Sequence, residues 1–135
     1  MTSEVFEYQI SVEQSAIDEM NHVNNVVYLQ WIQEIAKKHW EAKTDQNIRN
    51  NFVWVVMKHE INYLSSAIEG DTITIRTWIA QHHGAKSERH TSIIHTATQK
   101  QIVSASTTWC LLNKKTLKPH RIPKEISELF FQPLP

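Results

Sequence analysis

The sequence predicts an α+β domain in which one long helix lies against an antiparallel sheet. Two observations carry that prediction. Across residues 23–42 the apolar positions recur with helical period, putting Tyr28, Leu29, Trp31, Ile32, Ile35, Ala36 and Trp40 on one half of a cylinder. Gln30, Gln33, Glu34, Lys37, Lys38 and Glu41 fall on the other half, so one face meets a sheet and the other meets water. From Phe52 onward, β-branched and aromatic runs follow one another across short polar connections, as in an antiparallel meander. One helix followed by consecutive strands is the α+β pattern.

In chain order, residues 5–11 read as a first strand, with Val5, Phe6 and Tyr8 supplying β propensity. Residues 15–21 are a loop. Residues 44–51 are rich in Asp and Asn, lack an apolar period and read as a second loop. Residues 52–63 form a long strand: Val53, Val55, Met57, His59, Ile61 and Tyr63 share one face, and Trp54, Val56, Lys58, Glu60 and Asn62 the other. Its continuous apolar start predicts burial on both faces there. Turns at Glu69-Gly70-Asp71 and Gly84 bound a strand over 72–81, and 86–97 and 101–112 are strands joined by Thr98-Gln99-Lys100. Pro119 and Pro123 bracket an extended tail, and residues 124–131 form a short helix with Pro123 at its first position. His39 lies on the apolar half of the long helix, where it is expected to bond a carbonyl or sit at a subunit contact.

Composition bounds the function. The 135 residues suit a single domain over 1–135. Lys+Arg and Asp+Glu number 14 each, so no global field recruits nucleic acid or an anionic membrane, and any phosphate binding is local. The first ten residues carry two Glu and no basic region, and no apolar run reaches membrane-spanning length. Cys110 is the one cysteine, which rules out an intrachain disulfide. These features lead to the expectation of a cytoplasmic protein. His82 and His83 are adjacent and His90 and His95 are oddly spaced, so strand alternation splits each pair and no metal is expected. Without a GxSxG run, serine-hydrolase chemistry of the α/β-hydrolase kind is disfavoured. Cys110, mid-strand, reads as a packed residue rather than a nucleophile. Five Trp in so short a chain imply large buried contacts, either in the core or between subunits.

The stretch that concentrates chemistry is Asp18-Glu19-Met20-Asn21-His22-Val23-Asn24-Asn25-Val26-Val27-Tyr28-Leu29-Gln30-Trp31. A carboxylate stands just upstream of a helix start rich in cap-forming amides, where free N–H groups favour negative charge. Such donors hold an oxyanion while the acid activates or delivers a nucleophile. The pattern Asp18-x-x-x-His22-Val23-Asn24-Asn25-x-x-Tyr28-x-x-Trp31 resembles the signature of hot-dog-fold thioesterases of the 4-hydroxybenzoyl-CoA thioesterase-like group. The likeness continues through Ile61-Asn62-Tyr63-Leu64 and Glu69-Gly70-Asp71-Thr72-Ile73. The chain departs from that group at Ala16, where an acid is frequent, and at Gln33 and Ala36, where Glu and Arg are common.

The resemblance implies a hot-dog fold, a long central helix wrapped by an antiparallel β-sheet, assembled as a homodimer or homotetramer with sites between subunits. It implies an acyl-CoA thioesterase with Asp18 as nucleophile or general base and backbone N–H groups near Asn24 and Asn25 as the oxyanion hole. Asn24 or Asn25 orients Asp18 or water, or the amides only build the turn. Tyr28 walls the acyl pocket or belongs to the core, and His22 positions substrate or packs. Lys86, Ser87 and Arg89 follow the Gly84 turn, where similar enzymes contact the nucleotide of coenzyme A; a solvated strand face is the plainer reading. Coenzyme A enters as part of the substrate, with no separate cofactor. An acyl-carrier-protein thioesterase and a non-catalytic acyl-CoA-binding domain are the alternatives. The latter lacks the helix-turn-helix expected of a sensor.

Overall fold

The computed structural model describes residues 2–132; Met1 and residues 133–135 of the expected 1–135 domain lie outside the described residues. Five strands form one antiparallel sheet in the order β2-β4-β5-β6-β3: β2 (Phe6–Ser11), β3 (Phe52–Tyr63), β4 (Thr72–His83), β5 (Lys86–His95) and β6 (Gln101–Asn113). Two-residue strands β1 (Thr2–Ser3) and β7 (Phe131–Gln132) pair with each other. The long helix α1 (Asn25–Lys43) buries Tyr28, Ile32, Ile35, Ala36 and His39, the face its periodicity marks. No helix among the described residues is long and apolar enough to cross a membrane.

Four local readings are corrected. Residues 44–51 are not wholly loop: Gln46–Asn51 is a short helix, α2, entered through Asp45, whose Oδ1 accepts the Ile48 N–H at 2.9 Å. A carboxylate cap of this kind starts a helix too short and too polar to show an apolar period. The faces of β3 do not run through, because a register shift between Val56 and Lys58 leaves Met57 out of the ladder with β6. Trp54 and Val56 therefore join the side of His59, Ile61 and Tyr63. Nor is the start of β3 buried on both faces; the strand lies at the sheet edge, and Val55 is 37 % exposed. The C-terminal helix α3 (Lys124–Ser127) continues into a 3-10 turn, Glu128–Phe130, and Pro123 caps it rather than opening it.

The interior is two apolar clusters. One joins Tyr28, Ile32 and Ile35 to Ile73, Ile75, Ile93 and Val103. The other gathers Ile79, Leu111, Ile126 and Phe130, with Trp40 stacked on Phe130 at 6.1 Å. A polar seam of His39, Thr77, Arg89, Thr91 and Thr107, all buried, belongs to neither. Arg89 Nη1 donates to His39 Nδ1 at 2.9 Å and to Thr77 Oγ1 at 3.1 Å. Guanidinium only donates, so Nδ1 must accept and the His39 proton sits on Nε2, which reaches Glu4 Oε1 at 3.2 Å. His39 is thus buried as expected, but its partners are Arg89 and Glu4 rather than a carbonyl. Burial, then the Arg89 charge, hold the His39 imidazole down at about 4. Burial and Arg89 do the same to His82, also about 4. Burial pushes the Glu4 carboxyl up, but bonds and charge from Lys43 and His39 outweigh it and hold it below the usual range.

Two outcomes are expected. Asp45→Ala removes the α2 cap and lowers unfolding stability by about 1 kcal/mol in urea titrations. Because His39 and His82 are held below the ordinary 6.5, the unfolded chain takes up their protons first on acidification. That contribution is whole above pH 6.5 and is lost as pH falls toward about 4. The urea midpoint should fall through this window, and imidazole NMR should show both rings still neutral at about pH 6.

Candidate active site

The loop carrying Asp18 is folded by its own short side chains. Ile17 and Val23 form an isolated antiparallel bridge that pinches it shut. Within it, the Asp18 N–H donates to the His22 carbonyl at 2.8 Å and the Asn21 N–H to the Asp18 carbonyl at 3.1 Å. Asn21 takes φ 62°, a left-handed conformation that a short amide tolerates better than most residues. Asp18 Oδ1 accepts the N–H groups of Met20 at 2.8 Å and His22 at 3.3 Å. This is the local bonding that Asp offers a turning chain. Asp18 Oδ2 takes no donor among the described residues, and the residue is half-buried.

Helix α1 begins immediately beyond the bridge. Asn24 is its N-cap, and its Oδ1 accepts the Val26 N–H at 2.9 Å. The Asn24 N–H is itself committed to the Ala16 carbonyl at 2.9 Å, and the Val27 N–H to the Asn24 carbonyl at 2.8 Å. The group of donors expected near Asn24 and Asn25 therefore narrows to the Asn25 N–H, which has no partner among the described residues. The side chains of His22, Asn24 and Asn25 are exposed. Tyr28, one turn in, is 2 % exposed, and its hydroxyl accepts the Ala67 N–H at 3.0 Å. Its ring meets Trp31 edge-on at 5.6 Å. Burial pushes the phenol up; the Ala67 bond pulls it down, and the charges of Asp71 and Asp18 push it up again. Asp18 and Tyr28 are thus electrostatic neighbours across the helix entrance.

Lys86, Ser87 and Arg89 do not share one surface. Lys86 is exposed, whereas Ser87 is 2 % and Arg89 5 % exposed. Strand alternation sends Ser87, Arg89 and Thr91 inward onto the α1 side, so the cation expected at a pocket mouth is an interior group. Burial lowers the Arg89 guanidinium to about 9, which leaves it cationic at neutral pH. Ser87 and Arg89 line a cavity of about 440 Å³ with Trp40, Trp54, Trp109 and Phe130, and Asp18 is not on its wall. Gln33, the first α1 residue on that wall, lies eight positions beyond Asn25, roughly 12 Å along the axis at about 1.5 Å per residue. Sequence reasoning missed this cavity. The available signal was a run of polar side chains, 87, 89 and 91, at alternate positions of a strand. Cys110 is 5 % exposed, a packed residue.

Comparison with known proteins places this geometry. The family model described as "Acyl-ACP thioesterase N-terminal domain" matches residues 3–130. The palmitoyl-acyl carrier protein thioesterase, chloroplastic, of Cuphea hookeriana is 26 % identical over 130 residues, covering 88 % of this chain and 29 % of the relative. The chain thus spans less than a third of the plant relatives it matches. The long-chain acyl-CoA thioesterase FadM of Escherichia coli (strain K12) is 29 % identical over 126 residues, covering 89 % of this chain and 92 % of FadM. The crystal structure of the probable thioesterase YbaW from Escherichia coli superposes with a TM-score of 0.83 at 24 % identity, covering 93 % of this chain and 98 % of YbaW. A five-stranded antiparallel sheet against one long helix is shared with that structure, and the resemblance of the Asp18 to Trp31 stretch points the same way. The chain has the α+β hot-dog fold of thioesterases and belongs to the acyl-ACP thioesterase N-terminal domain family.

Proposed function

We propose that this chain hydrolyses the thioester of a fatty or aromatic acyl-CoA to the free acid and coenzyme A, with Asp18 as nucleophile or general base. The observation that carries the reading is the pairing of a half-buried carboxylate, one oxygen free, with a helix entrance that keeps one N–H unpartnered. Either route passes through a tetrahedral oxyanion, and a fixed N–H stabilises it without solvent reorganisation. In one, an Asp18 oxygen attacks the carbonyl carbon, the C–S bond breaks, and water then hydrolyses the mixed anhydride. In the other, Asp18 takes the proton of an attacking water. A thiolate leaves readily, so no strong acid is required. Tyr28 is enclosed in the core and braces the helix start through the Ala67 N–H instead of walling the acyl group, and His22, Asn24 and Asn25 border the entrance. Lys86, the exposed cation after the Gly84 turn, meets a coenzyme A phosphate; Ser87 and Arg89, being interior, do not.

Coenzyme A is favoured over acyl carrier protein because the chain matches nearly the whole of an acyl-CoA thioesterase but under a third of the carrier-protein enzymes. Assembly as a homodimer or homotetramer is part of the same reading. Its support is the position of β3 at the sheet edge, with Met57 58 %, Tyr63 45 % and Leu64 55 % exposed, an apolar margin suited to a second copy.

Thiol release from an acyl-CoA chain-length series tests the proposal. Asp18→Asn should leave the sedimentation behaviour of the wild type unchanged and lower turnover by at least about a hundredfold. Turnover within a few-fold of wild type removes Asp18 from the chemistry. Tight acyl-CoA binding without hydrolysis by wild type would make the chain a binding domain instead. Lys86→Ala should raise KM for acyl-CoA and leave kcat unchanged; an unaltered KM removes the phosphate contact.

A further inference from the structure

The cavity between the second half of α1 and the Gly84 end of the sheet is lined by none of the groups assigned to the proposed acyl transfer. At about 440 Å³ it is the size of a small organic ligand. Its walls are mostly apolar, with Trp40, Phe52, Trp54, Ile79 and Phe130 supplying rings and branched carbons. Gln33, His82 and Ser87 break that surface, as do two donors with unmet hydrogen bonds among the described residues. Arg89 is 5 % exposed and spends Nη1 on His39 and Thr77, while Nε and Nη2 take no acceptor among the described residues. No carboxylate among the described residues lies within ion-pair reach of it. The second is Trp109, whose Nε1 is buried without any hydrogen-bond partner among the described residues. Guanidinium and indole N–H groups donate only, so neither can satisfy the other. The outer wall carries Lys37, Arg49 and Lys114 against a single acid, Glu41.

We propose that this cavity binds a carboxylate carried on an apolar body, its oxygens taken by Arg89 and the Trp109 N–H and its hydrocarbon or aryl part packed on Trp40, Trp54 and Phe130. A carboxylate supplies two acceptor oxygens and a negative charge to the donors of Arg89 and Trp109 that take no acceptor among the described residues. Charge-assisted bonds to a guanidinium shielded from water are the strong kind. A methyl-ended chain fills the same volume but leaves both donors bare, which is how such a site discriminates. The binding does not depend on the role given to Asp18. Two sources present this chemistry: a free fatty or aryl acid, and an acyl thioester whose far end bears a carboxylate.

Three tryptophans, Trp40, Trp54 and Trp109, line the cavity and report its occupancy by fluorescence. Titration of the full chain with decanoate should give saturable binding at least about tenfold tighter than 1-decanol. Arg89→Gln should erase that preference. Trp109→Phe keeps a ring and removes only the N–H, and should weaken decanoate by about threefold to tenfold; it keeps the test decisive if Arg89→Gln fails to fold. No saturable binding, equal affinity for acid and alcohol, or decanoate affinity unchanged in Trp109→Phe overturns the proposal. Hydrolysis of the mono-CoA thioester of dodecanedioic acid against lauroyl-CoA separates the sources. An Arg89-dependent preference for the dioic thioester assigns the carboxylate to the acyl end, and equal rates alongside decanoate binding assign the cavity to a free acid. The binding arm needs no turnover, so it stands or falls apart from the hydrolase reading.

Discussion

The interior of this protein is organised by one buried charge. Arg89 sits on the inner face of the sheet with no carboxylate among the described residues to neutralise it, and the removal of a guanidinium from water costs several kcal/mol even after relaxation. The fold answers with dipoles rather than with an ion pair. His39 is held neutral and offers a lone pair, Thr77 offers a hydroxyl, and the relay continues from His39 to Glu4 and on to Lys43. Each partner comes from a different element: α1, β4, and the segment between β1 and β2. The register of α1 on the sheet is therefore tied to a hydrogen-bond geometry as well as to shape. Apolar packing alone leaves a helix freer to slide.

That seam also explains why the apolar core is in two parts. On the N-terminal side of α1, isoleucines from three strands and the helix close on one another and leave Tyr28 fully enclosed. On the C-terminal side, large rings from α1, β3 and the C-terminal turn meet at 5.6 to 6.1 Å and do not fill the space as aliphatic side chains do. A cavity survives there because the neighbouring wall is a charged group that cannot be packed over. The long helix thus has two distinct ends. Its entrance follows the surface loop that carries Asp18, and its far half roofs an open-mouthed space lined by Arg89.

The Asp18 loop and the helix entrance are held by bonds among a few neighbouring residues. Asp18 spends one carboxylate oxygen on stabilising its own turn and leaves the other without a donor. Asn24 likewise uses its side chain to cap α1, and its backbone N–H to fasten the loop to Ala16. Among the described residues this bonding leaves one Asp18 oxygen and the Asn25 N–H unpaired, the two groups on which the proposed hydrolysis rests. The same bonds that fold the loop select which atoms are left over.

Features decided by neighbours in the chain were legible before any coordinates. The α1 face follows from a period of 3.6, the span of β3 from an apolar, β-branched start followed by alternation, and the turns at Gly70 and Gly84 from residues that accept φ of 87° and 62°. The Asp18 to Asn25 entrance belongs with these, because caps and Asx turns bond within four residues. Features decided across the sheet were hidden. Alternation says that Ser87, Arg89 and Thr91 share a side, but only the pairing of β5 between β4 and β6 says that the side is the inside. Likewise, the Met57 bulge and the exposed edge at Val55 depend on β3 pairing with β6 on one side and with no other strand among the described residues. Local chemistry settled the helix, its entrance and the turns, since those bonds close over a few residues. The buried cation and the cavity beside it came from tertiary structure, since burial belongs to strands that meet far apart in the chain.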